Sequence, residues 1–169
     1  MNLAYWQKEL APFLAQLRAA GSDAQQLIDP ASVLTAPWVA YKCQFGCPRY
    51  GKSPLCPPQA PDHQQTRALL DAYQVGILYR CRCGGKETQT GLSEPLVQAL
   101  VSAGYYKAIA FDDTPRCVPG AAERSVPAFP TMEACGVDVL GSLRANSFPL
   151  ASGRHPDGSW DCCGLILVE

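Results

Sequence analysis

The sequence predicts an α/β domain: a central, mostly parallel or mixed sheet with flanking helices and a cysteine-rich loop. Three observations carry that expectation. After residue 37, apolar segments of strand length alternate with helical patterns, as in α/β sheets. The strand candidates are near-continuous apolar runs, the pattern of strands covered on both faces. The chain has 169 residues and is 47% apolar, enough to bury a core without metal or disulfide staples. The expected organisation is a single domain over 1–169, with an N-terminal helix and connector over 1–36 and a cysteine-rich α/β core over 37–169.

The elements follow in order. Leu3, Trp6, Leu10, Phe13, Leu14 and Leu17 recur at helical spacing until Gly21 stops them, which predicts a helix packed on the core. Residues 22–37 form a polar connector with Pro30 and Pro37 as breakers. Val39–Lys42 is a short strand candidate, and a Cys/Pro/Gly loop follows over 43–61. Asp62 and Gln65 make a capping box for a helix carrying Thr66, Leu69, Leu70 and Tyr73. Val75–Arg80 is the next strand, and Ser93 caps a helix with Pro95 in its first turn. Lys107–Asp112 is a strand, Asp138 caps a short helix through Leu143, and Gly164–Val168 is the final strand.

Charge excludes several functions. Fourteen basic and fifteen acidic side chains leave a net charge of −1, without the basic excess that nucleic acid requires. No apolar run approaches the roughly 18–20 residues that span a bilayer. The first residues lack the basic, apolar and small-residue regions of a signal peptide. The expectation is a soluble, cytoplasmic protein that binds neither nucleic acid nor membrane.

Nine cysteines stand out, at 43, 47, 56, 81, 83, 117, 135, 162 and 163. An odd count without an export signal makes a full disulfide framework a poor reading. The densest stretch, Cys43 to Pro58, spaces three thiols as C-x3-C-x8-C among Gly46, Pro48, Gly51, Pro54, Pro57 and Pro58. Such a segment is not expected to place Cys43 and Cys47 on one helical face. It makes a looping backbone that aims several sulfurs at one centre, and thiolate clusters suit iron–sulfur centres or zinc. The spacing matches neither the ferredoxin run nor a zinc ribbon, so the metal stays open at this point.

In a parallel sheet, Cys43, Cys81, Cys83 and Cys117 would follow successive strands at one carboxyl edge, where open α/β sheets bind ligands. Cys162 and Cys163 point to opposite faces of an extended chain, so only one serves such a site, and only if the last strand is antiparallel. Cys135 fits a buried, small apolar residue. His63 and His155 are the only imidazoles; His63, in the first turn of the helix after the cysteine loop, is a minor ligand candidate, and Asp112-Asp113 fits a solvated turn. No catalytic triad order, phosphate loop or dinucleotide fingerprint is present.

The run Cys43-x3-Cys47-Pro-Arg-Tyr-Gly-Lys with Cys56-Pro-Pro resembles the hallmark of a domain-of-unknown-function family of predicted metal-binding proteins. Ala103-Gly-Tyr-Tyr-Lys-Ala-Ile-Ala and Pro130-Thr-Met-Glu-Ala-Cys-Gly-Val-Asp-Val agree with it, so the resemblance covers most of residues 37–140. It implies a small, cysteine-rich, iron–sulfur protein of prokaryotes with no settled activity. The family pattern carries a second, ferredoxin-like cysteine cluster after the third strand; here only Cys117 remains of it.

The leading expectation is therefore one [4Fe–4S]-type cluster on Cys43, Cys47 and Cys56, with Cys117 as fourth ligand and Cys81 or Cys83 as runners-up. Its role would be electron transfer or redox service, with a redox protein or a small-molecule substrate as partner. Lys42, Arg49 and Lys52 would offset thiolate charge, and Phe45, Tyr50 and Leu55 would limit solvent access. Two alternatives stay open: a structural zinc protein, and a thiol-redox or sulfur-transfer enzyme using Cys81, Cys83 or the Cys162-Cys163 pair.

Overall fold

The computed structural model describes residues 2–83, 91–112, 129–149 and 155–169. Among them, six α-helices cover both faces of one four-stranded sheet. The N-terminal pattern becomes two helices, α1 (Leu3–Glu9) and α2 (Ala11–Ala19), rather than one. The break falls at Leu10, just before Pro12, whose ring cannot follow an unbroken helix. Trp6, Leu10 and Leu17 are buried against the sheet, as their spacing requires.

The connector over 22–37 is corrected. Ala24–Ile28 is an edge strand, β1, antiparallel to β2 (Gly76–Cys83). Only Leu27 and Ile28 in β1 are buried, which kept the segment's apolar signal short. A 3₁₀ turn, Pro30–Ser32, follows with Asp29 as its cap. The predicted strand at Val39–Lys42 is also corrected: it lies inside α3, Pro37–Gly46. Pro37 occupies the first helical turn, where its missing N–H costs nothing and its fixed φ favours a helix.

The downstream elements agree more closely. Asp62 caps α4 (His63–Asp71) through the reciprocal box with Gln65. Then come α5 (Ser93–Ser102), β3 (Ile109–Phe111), α6 (Val139–Ala145) and β4 (Trp160–Leu167). Asp138 caps α6 as expected. Ser93 does not cap α5; its hydroxyl donates to Asp112 Oδ1 at 2.9 Å. Asp112 is buried and not part of a solvated turn, and Asp113 lies outside the described residues.

The sheet order is β1-β2-β4-β3, and every neighbouring pair is antiparallel, so the expected parallel or mixed sheet is corrected. The alternation of strand and helix did carry correct information. Both β2 and β3 are antiparallel to β4, so they run in the same direction, as a strand–helix–strand crossover implies. The C-terminal strand fills the gap between them. Its Leu165, Ile166 and Leu167 are fully buried, and the centre of a doubly covered sheet is where such a run belongs.

Two cores result. Ile77, Tyr79, Cys81, Cys83, Cys162 and Ile166 project towards α1, α2 and α5. Leu78, Leu165 and Leu167 project the other way, joining Leu70 of α4, Leu143 of α6 and the 3₁₀ turn Glu133–Cys135. Gly164 is needed on the first face, because a Cβ there would overlap the ring of its cross-strand partner Tyr79.

Candidate metal centre

The site is built from one helix end, one loop and one strand. Cys43 sits in the last turn of α3, and Cys47 is the residue that leaves it, with an extended backbone. The Cys47 N–H donates to Cys43 O at 3.1 Å. The two thiols are therefore an i, i+4 pair across a helix end, contrary to the expectation from composition. The loop's glycines and prolines act only from Gly46 onward, and the residues before it, from Pro37 on, are free to wind. Turns then fold the rest of the loop back. Gly51 N–H donates to Pro57 O at 2.9 Å, and Cys56 O accepts from both Gln59 and Ala60 N–H at 3.0 Å. These bonds return Cys56 to the side on which Cys43 and Cys47 stand.

All three thiols line one cavity of about 810 Å³, whose far wall includes Asp161, Cys162 and Cys163 of β4. Cys56 is buried, Cys43 and Cys163 are half-buried, and Cys47 is exposed. None of these four is disulfide-bonded. Among the described residues, no three His, Cys, Asp or Glu side chains are gathered tightly enough to hold a metal ion. Four cysteine thiols nevertheless share the walls of one space, and sulfur is the donor type that thiophilic metals favour.

Strand alternation sorts the remaining cysteines. Cys163 belongs to the cavity side of β4 and packs against the core of that face. Cys162 belongs to the opposite face, directly across from Cys81, and forms a disulfide with Cys83, their Cα atoms 5.9 Å apart. Among the described residues there is thus one disulfide, where the sequence argued against a framework of them. Cys81 is fully buried on that same face. Cys135 is fully buried, as expected of a small apolar residue, and burial pushes its thiol up to about 12. Cys117 lies outside the described residues.

The charged groups are arranged around β4. The Asp161 carboxylate accepts His155 Nε2 at 2.8 Å and lies 3.7 Å from Arg80, which also binds Asp23 at 2.8 Å. Burial, reinforced by the Asp161 carboxylate, pushes the Cys163 thiol up to about 12. Arg49 and Tyr50 line the cavity, as their expected roles require. Lys42 Nζ stands 5.0 Å from the Trp38 ring centre, and Lys42 lines a neighbouring cavity that Cys43 and Cys47 also border. Phe45 does not shield the site: it is 80% exposed and stacks on Tyr41. His63 opens α4 and packs against Gly136, where a Cβ would come within 2.7 Å of the His63 Cβ. Among the described residues, no helix is long and apolar enough to cross a membrane.

Asp161 and Glu133 are wall residues that motif reading misses; for Cys163 the sequence gives a condition, an antiparallel last strand, and β4 meets it. The available signal was the two-residue period of β4, in which Cys163 shares a face with Leu165 and Leu167. Neither a curated protein nor a solved structure matches the chain. A family model does: it covers residues 26–168, from β1 through β4 and all the cysteines, and by it the chain belongs to the DUF2284 family of predicted metal-binding proteins.

Proposed function

We propose that this chain is a cytoplasmic iron–sulfur protein that holds one [4Fe–4S]-type cluster and serves electron transfer or a redox accessory role. The observation that supports the reading is the shared cavity of Cys43, Cys47 and Cys56, three thiols from one helix end and its loop. These three are the proposed ligands, with a fourth thiolate to complete the set. When bound, such a cluster supplies a one-electron redox couple. The chain's own contribution is the donor set and its surroundings. Arg49 offsets part of the thiolate charge, and Tyr50, Pro57 and Ala134 form wall on the cavity. The proposed partner is a redox protein or a small-molecule substrate.

A second reading, thiol–disulfide chemistry, draws support from the Cys83–Cys162 disulfide beside buried Cys81. One preparation separates the readings. Protein purified without oxygen should be brown, with iron and acid-labile sulfide near four each per chain. Stoichiometric zinc without sulfide would assign a structural zinc site. Protein without metal, but with a Cys83–Cys162 pair that cycles with a dithiol, would assign thiol chemistry.

A further inference from the structure

The loop supplies three thiols, and a four-thiolate centre needs one more. Of the cysteines on β2 and β4, Cys81, Cys83 and Cys162 project into the core beneath α1, α2 and α5. Cys163 projects the other way, onto the wall of the cavity that Cys43, Cys47 and Cys56 line. It stands on β4, an inner strand of the sheet, paired with Arg80 of β2 and two residues beyond Leu165, where the pairing with β3 ends. A donor on such a strand is held in place, whereas the other three lie on a helix end and a turn-rich loop. Folding the loop around a fixed sulfur lowers the cost of ordering the site.

The competing donors are weaker. Asp161 shares the face of Cys163, but its carboxylate is engaged by His155 and Arg80. Glu133 also lines the cavity, yet it is an exposed carboxylate, and thiophilic metals favour sulfur over oxygen. We propose that Cys163 is the fourth thiolate donor of the centre, completing the set Cys43, Cys47, Cys56 and Cys163. This inference rests on the metal-centre reading of the loop and names the residue on which the site closes.

The test uses the full chain, prepared without oxygen, as wild type and as Cys163→Ser, Cys162→Ser, Cys117→Ser and Cys43→Ser. Metal content is measured on each, and Co²⁺ alone is then added to the metal-free proteins to read the thiolate-to-cobalt absorption. Cys163→Ser should lose most of its metal and one thiolate's share of the cobalt band, with Cys117→Ser and Cys162→Ser unchanged. Because Cys163 is half-buried, its variant is also checked by circular dichroism. Should it not fold, wild type is loaded with NMR-active cadmium, and the proton–cadmium correlation must include the Cys163 β-protons. Full metal in folded Cys163→Ser, or a correlation set without Cys163, overturns the inference and leaves the three-thiol reading in place. Full metal in Cys43→Ser as well overturns the reading on which it rests.

Discussion

On the side of α3, α4 and α6, the sheet faces a cavity walled by four thiols, Cys43, Cys47, Cys56 and Cys163. On the side of α1, α2 and α5 it carries three more, Cys81, Cys83 and Cys162, none more than 9% exposed. Cys162 and Cys163 are adjacent in the chain and fall on opposite sides of this division, because successive side chains of a strand alternate. The same residue type is thus a buried packing and cross-linking group on one face and a candidate ligand on the other. What separates the two roles is an unbridged sulfur on a shared space: Cys162 borders the cavity but is bonded to Cys83, and a thiol packed among apolar side chains behaves as a small hydrophobe.

The largest expected effect sets the two faces directly against each other. Cys47→Ser and Cys56→Ser should each lose most of the bound metal, whereas Cys81→Ser should keep it. Elemental analysis of the anaerobically prepared variants checks this, and metal loss in Cys81→Ser would erase the distinction. Gly164→Ala should come next. Its Cβ collides with the Tyr79 ring, so denaturant unfolding should show a loss of about 1–3 kcal/mol. Metal per folded chain should stay unchanged, because the collision is on the face away from the cavity.

Cys81→Ala removes one buried sulfur from a closely packed core and should cost about 1 kcal/mol, seen in the same unfolding curves. The smallest effect sharpens the comparison by showing that burial, beyond face alone, governs reactivity. In metal-free, folded protein at pH 8, iodoacetamide should label exposed Cys47 first and leave Cys135 unlabelled until the chain unfolds. A thiol held near 12 is ionised in only about one molecule in ten thousand at that pH, and the thiolate is the reacting form. Peptide mapping of the labelled protein reads the order.

The sequence carried the helices with side-chain caps most faithfully. Asp62 with Gln65 and Asp138 mark helix starts by local hydrogen bonds, which need no tertiary partner. It failed where local signals were weak or shared. Val39–Lys42 suits a strand or a buried helix turn equally, and Pro37 decided for the helix. Ala24–Ile28 is too polar to announce itself; pairing with β2 makes it a strand. At the site, the dense loop at 43–56 was legible because three thiols in one segment must lie close together. Cys163 was not, because its place depends on the direction and position of β4.

The thiol-rich loop, the capped helices, the like orientation of β2 and β3, and membership of a family of predicted metal-binding proteins were therefore written in the chain itself, through local hydrogen bonding, spacing and motif. The insertion of β4 between β2 and β3, the cross-link from Cys83 to Cys162, and the arrival of Cys163 opposite the loop were decided only in three dimensions. Each depends on residues more than 50 positions apart meeting across a sheet. Those meetings follow from where the most apolar strand finds cover on both faces, a balance of burial over the whole chain that no local pattern records.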